Sequence, residues 1–163
     1  MIILGRSIGS GPAVLLATQR NCAAMLLFAP FKSLRDVVSA NNSLGVGVIA
    51  PNIFNNKALI SQIDCSTFII HGTKDELVPL SHSEELFEQS GALPMSKKLH
   101  IVEGMTHRDF NVMEDFVKPS TQFLTQRHII CGVAYGKPID PYHIKQNSTP
   151  PDAMRFRGEG NYD

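Results

Sequence analysis

The sequence predicts an α/β fold, a parallel sheet with flanking helices. Short apolar runs alternate with helix-like segments over residues 1–127, the pattern of repeated βα units. Each run stops at a turn-forming residue, as at Gly5, Pro30, Gly72 and Gly104. With 43% hydrophobic and only 18% charged residues, the chain has the composition of a globular domain able to cover both faces of such a sheet.

Ile2-Ile3-Leu4 reads as a buried parallel strand running into Gly5. Residues 12–20 follow as a helix, with Pro12 in its first turn, where a missing N–H costs nothing. Residues 24–28 form a second buried strand. A short helix opens at Ser33 with a capping-box-like Ser33-Leu34-Arg35-Asp36, and Leu34, Val37 and Val38 share one face. Residues 40–56 mix Asn, Gly and Pro with apolar side chains, which suits either a lid or substrate wall or a plain connection.

Residues 57–63 read as a short helix, and residues 67–70 as a third strand ending at His71-Gly72. Ser81-His82-Ser83-Glu84 has the form of a capping box opening a helix to about Gln89. Residues 99–102 form a fourth strand. The last helix spans about 110–127, with Phe116, Val117, Phe123 and Leu124 as core candidates and a kink at Pro119. Residues 129–133 could add a small apolar element. The domain is therefore placed at 1–130. Residues 131–163, with Pro138, Pro141, Pro150, Pro151, Gly158 and Gly160, read as an extended or disordered tail.

Fifteen basic and fifteen acidic residues balance, so there is no electrostatic footprint for nucleic acid. No apolar run approaches the ~20 residues of a membrane helix, and Met1 leads into the first strand without a charged leader region. Cys22, Cys65 and Cys131 fit neither a disulfide framework nor a zinc site. No cofactor and no metal are expected, and free thiols suit a reducing compartment.

The chemistry concentrates at three strand ends. Gly5-x-Ser7-x-Gly9 lies between a strand and a helix, the context in which this motif presents a nucleophile on a strained turn. Glycines on either side would remove clashing side chains. The Ile8 backbone N–H, at a helix N-terminus, would point toward a developing oxyanion. A serine hydroxyl needs a base, and candidates follow in suitable places. Asp75 lies directly after the third strand and His107 directly after the fourth. All three would project from the carboxyl edge of the sheet, where ligands bind in open α/β folds. Among the rivals, Glu76 stands one residue deeper in its loop, and Asp109 suits solvent or a helix cap. His71 reads as a satisfied structural histidine, while His82 and His100 read as outward-facing.

These residues carry a resemblance. Gly5-Arg6-Ser7-Ile8-Gly9-Ser10-Gly11-Pro12, Ala50-Pro51-Asn52-Ile53-Phe54, Phe68-Ile69-Ile70-His71-Gly72-Thr73-Lys74-Asp75-Glu76 and Glu103-Gly104-Met105-Thr106-His107 resemble α/β-hydrolase-fold serine hydrolases, nearest the acyl-protein thioesterases (depalmitoylases) of the α/β-hydrolase-domain type. The order Ser, Asp, His is also that of α/β-hydrolases. The resemblance implies Ser7 as nucleophile, His107 as general base and then acid, and Asp75 holding the imidazole tautomer. It also implies an acylated protein or lipid substrate.

In that family the elbow follows the fifth strand, so this chain corresponds to the C-terminal half of the fold, strands 5–8, with the N-terminal strands absent. Two expectations follow: an exposed parallel edge on the first strand, and no counterpart of the second oxyanion donor, whose loss typically costs about 10²–10³ in rate. No lipidated cysteine-rich segment is present, so a cytoplasmic location is expected, with membrane association belonging to a full-length form. Two alternatives stay open. One is a truncated, silent fragment that acts by binding, with a partner chain completing the sheet. The other is a peptidase or small-molecule esterase on the same three residues.

Overall fold

Four strands, β1 (Ile2–Arg6), β2 (Ala24–Phe28), β3 (Ser66–Gly72) and β4 (Lys97–Val102), pair in parallel in the order β1-β2-β3-β4. The computed structural model describes residues 1–41 and 53–130. Most of the stretch expected at 40–56 as a lid or a plain connection, and the whole tail expected at 131–163, lie outside these residues. The register aligns Leu4 with Leu26, Leu26 with Phe68 and Ile69 with Leu99. Because all strands run the same way, every strand-to-helix turn emerges on one edge.

Both faces of the sheet are covered. On one, Ile3, Met25, Leu27 and Ile69 pack against Ala13, Val14 and Ala17 of α1 (Ser10–Gln19), Ile60 and Ile63, and Leu86 of α4 (Leu80–Gln89). On the other, Ala24, Leu26, Phe28, Phe68 and Ile70 meet Met105, with Phe123 and Leu124 of α5 (Lys118–Gln126). Phe68 and Phe123 stack with centroids 4.8 Å apart. Each fully buried side chain of this size stabilises the fold by roughly 1.5–3 kcal/mol relative to exposure.

Central β2 is buried along its whole length, which is why it reads as continuous apolar sequence. Strand β1 departs from its reading as a buried strand but has the exposed edge expected of it. It alternates, with Ile3 and Gly5 buried while Ile2 and Leu4 are 40% and 55% exposed. Only one of its edges is paired among the described residues, and one face of the strand is uncovered.

The helices follow the sequence with local differences. The Ser33 hydroxyl accepts from the Asp36 N–H (3.1 Å) and donates to its carboxylate (2.6 Å), capping α2 (Leu34–Asn41) as its pattern predicts. Asn55 caps α3 (Asn56–Leu59) by accepting from the Ala58 N–H, and the chain continues as a 3₁₀ turn, Ile60–Gln62. The capping box at Ser81 does not form. Helix α4 starts two residues earlier, at Leu80 with Pro79 at its N-cap, so Ser81 already lies inside the helix. The last helical region begins as a π-helical stretch, Val112–Val117, and becomes regular α5 only at Lys118. Pro119 has no N–H to donate to the preceding turn, so the expected kink takes the form of a change of helix type. Asn111 caps this region, accepting from the N–H groups of Met113 and Glu114, so Asp109 is not the cap. Ile129 and Ile130 pack on the Phe123 cluster, while the rest of the element expected at 129–133 lies outside the described residues.

Candidate active site

At the end of β1 the backbone turns sharply. Arg6 is extended, but Ser7 has φ +48°, a left-handed conformation that is strained for a serine, and Ser7–Gly9 forms a 3₁₀ turn leading into α1. Gly5 permits this approach. A Cβ there would sit 2.6 Å from both the Ala13 Cβ and the Gly9 carbonyl oxygen. Gly9 differs from its sequence reading, since a Cβ at that position meets nothing within 4 Å. Ile8, whose N–H follows the serine in this turn, is exposed through its side chain.

Asp75 sits in the turn between β3 and α4, its side chain fully buried. Its Oδ1 accepts from the N–H groups of Leu77 (3.0 Å) and Val78 (2.8 Å). Its Oδ2 faces His107 Nδ1 at 2.7 Å and His71 Nε2 at 3.3 Å. Burial alone would push this carboxyl up. Hydrogen bonds from His71, the Val78 N–H and His107, together with the His107 charge, outweigh it and hold the pKa down to about 2.

His107 lies beyond β4 and is 6% exposed. Its loop is joined to the Asp75 loop by the backbone: Thr73 N–H donates to the Val102 carbonyl (3.0 Å) and Lys74 N–H to the Met105 carbonyl (3.0 Å). Gly104 N–H adds a bond to the Thr73 hydroxyl (2.9 Å). Gly72 makes this contact feasible, because a Cβ there would collide with the Met105 backbone.

The result is a continuous chain of polar contacts. Ser7 Oγ lies 2.9 Å from His107 Nε2, and His107 Nδ1 lies 2.7 Å from Asp75 Oδ2. An ionised carboxylate only accepts, so the proton of a neutral imidazole sits on Nδ1, leaving the Nε2 lone pair for the serine hydroxyl. The arrangement can therefore take a proton from Ser7 and stabilise the imidazolium formed.

Of the rivals, Glu76 is exposed, and its carboxylate reaches the His107 backbone N–H at 3.5 Å rather than the ring. Asp109 belongs to a turn closed by Thr106. His82 was expected to face solvent and is instead 4% exposed, lying beside the Lys32 backbone; burial and the Lys32 charge push its imidazole below its usual pKa. His100 is half-buried against Phe68, not outward-facing. Sequence reading missed Arg6. Its guanidinium donates to the His107 carbonyl (2.6 Å) while lying over the rings of Phe110 and Phe28. Its position inside the glycine motif was the available signal, but periodicity says nothing of a partner so distant in sequence.

Among the described residues no cluster of His, Cys, Asp or Glu could hold a metal ion, and no helix is long and apolar enough to cross a membrane. No family model matches the chain. Alpha/beta hydrolase domain-containing protein 17B of Xenopus tropicalis and that of Homo sapiens are each 34% identical to it over 128 residues, covering 77% of this chain and 42% of theirs. Protein 17C of Mus musculus is 30% identical over 126 residues, covering 77% and 37%. The chain thus spans less than half the length of these relatives. Among solved structures, Est1E from Butyrivibrio proteoclasticus matches with a TM-score of 0.59 at 17% identity, over 78% of this chain and 60% of that one. The esterase domain of a Rhodothermus marinus protein matches with a TM-score of 0.58 at 12% identity, over the same shares.

The chain has the α/β-hydrolase fold. In this fold, Ser7, Asp75 and His107 come from the ends of β1, β3 and β4. Strand β2 ends at the same edge in Ala29, which has φ +48° and donates its N–H to the Ile70 carbonyl (2.8 Å).

Proposed function

We propose that this α/β-hydrolase is a serine hydrolase cleaving ester or thioester bonds, with acylated proteins or lipids as its favoured substrates. The observation that carries the reading is the unbroken contact from Ser7 Oγ through His107 to Asp75. Ser7 attacks the acyl carbonyl as His107 Nε2 takes its proton, and the Ile8 N–H helps bind the oxyanion. His107 then protonates the leaving alcohol or thiol. Water, deprotonated by the same nitrogen, releases the acid from the acyl-enzyme. Asp75 keeps the ring in one tautomer throughout. The acyl-protein preference draws on the resemblance to depalmitoylases. The broader ester chemistry is supported by the esterases that share the fold.

Reaction with a fluorophosphonate probe tests the nucleophile. The folded chain should label on Ser7, and Ser7→Ala should abolish labelling; a folded chain that does not label would reject the reading. Turnover of matched long-chain thioester, short ester and peptide substrates then separates a thioesterase from a small-molecule esterase or a peptidase. A second reading, a silent unit that acts by binding, is favoured by the exposure of Ile2 and Leu4 along β1, and it predicts no labelling at all.

A further inference from the structure

Beside Asp75 stands a second histidine. His71, at the end of β3, is fully buried and uses both ring nitrogens. Nδ1 lies 2.5 Å from the Ser83 hydroxyl in α4. Nε2 lies 2.9 Å from the Val78 carbonyl and 3.3 Å from Asp75 Oδ2. Both partners of Nε2 are acceptors only. In the neutral ring the proton must therefore sit on Nε2, and Nδ1 accepts from Ser83. The Val78 carbonyl and Asp75 thus select a tautomer of His71 just as Asp75 selects one of His107, and Ser83 anchors the other ring nitrogen. The contacts run without a break as Ser83–His71–Asp75–His107–Ser7.

The consequence falls on the carboxylate. Oδ1 is held by two backbone N–H groups, and Oδ2 faces two imidazole N–H groups, that of His107 at 2.7 Å and that of His71 at 3.3 Å, the latter shared with the Val78 carbonyl. Without His71, His107 would be the one side chain bonded directly to Oδ2. We propose that His71 is a positioning residue for the hydrolytic reaction, with Ser83 as its orienting partner: its Nε2–H holds Asp75 Oδ2 where His107 Nδ1 needs it. This rests on the serine-hydrolase reading. Its chemistry differs from that of a merely structural histidine, because its effect must pass through Asp75.

The test uses the full 163-residue chain, the second-order rate of fluorophosphonate labelling, and the low-field proton resonance of His107 Nδ1–H. His71→Phe removes the donor at similar volume and should slow labelling by about tenfold or more, the size of loss typical when an orienting partner of a reactive group is removed. His71→Gln can return an N–H near the Nε2 position and should recover most of that rate. In an Asp75→Asn background, His71→Phe should add little, since its route of action is gone. Should His71→Phe not fold, Ser83→Ala breaks the chain one link further out and should slow labelling about threefold, on the same orientation argument. The proposal is overturned if His71→Gln is no better than His71→Phe, or if the penalty persists undiminished beside Asp75→Asn. When His71→Phe cannot be made, it is also overturned if Ser83→Ala perturbs neither rate nor resonance. The resonance keeps the two claims apart. A wild-type chain that never labels, but whose His107 proton shifts on His71 substitution, would sink the hydrolase reading and leave the positioning intact.

Discussion

Asp75→Asn is nearly isosteric, so it changes the donor and acceptor pattern while leaving the packing in place. In the wild-type chain all four neighbours of the carboxylate donate: the N–H groups of Leu77 and Val78 to Oδ1, and the rings of His107 and His71 to Oδ2. An amide offers an oxygen to only one of these pairs. Keeping that oxygen toward Leu77 and Val78 preserves the turn but sets the NH₂ against both imidazoles. His107 relieves the clash by moving its proton to Nε2, where it can no longer accept from Ser7. The expected loss is about 10⁴ in labelling rate, the scale seen when a hydrolase imidazole is held in the wrong tautomer. At 1.36 kcal/mol per decade this is roughly 5.4 kcal/mol of barrier. The buried donor facing an NH₂ should also lower stability by about 1–3 kcal/mol. Labelling kinetics on protein shown to be folded by circular dichroism provide the assay. A rate within about tenfold of wild type would refute the tautomer argument on which the mechanism stands.

Gly5→Ala should press its new Cβ onto Ala13 and the Gly9 carbonyl, costing about 1–3 kcal/mol as overpacking and disturbing the elbow; thermal unfolding should fall together with labelling, and an unchanged melting point would show that the turn can yield. Arg6→Met removes the guanidinium, and with it the charged bond to the His107 carbonyl and the contact over Phe110; a drop of about five- to tenfold in labelling is expected, and loss of stability alone would deny that Arg6 bears on the histidine. The depressed pKa of Asp75 has a defined sign. Its folded pKa of about 2 lies below the ordinary 3.8, so it contributes stability above pH 4 that is lost as the pH falls toward 2. Acid unfolding followed by circular dichroism should therefore be shallower for Asp75→Asn than for wild type across that window.

Sequence alone determined the layer architecture and the edge on which its chemistry collects. Strand β2, Ala24–Phe28, was legible because a strand covered on both faces must be apolar throughout, and the parallel order followed from the intervening helices. Ser7, Asp75 and His107 could each be assigned to a strand end for the same reason. Their contact could not. Ser7 and His107 are separated by 100 residues, and whether they meet depends on sheet register, on the Gly72–Met105 approach and on the bonds joining two loops. Local patterns encode none of these. The same limit explains the misreadings. Ser81-His82-Ser83-Glu84 has the form of a cap, yet α4 begins at Leu80, which turns His82 inward and delivers Ser83 to His71. Strand β1 reads as buried from its apolar run, but only tertiary packing decides which face of an edge strand is covered. Periodicity places a side chain on a face, whereas a hydrogen bond requires two faces to arrive together, and only the folded chain decides that.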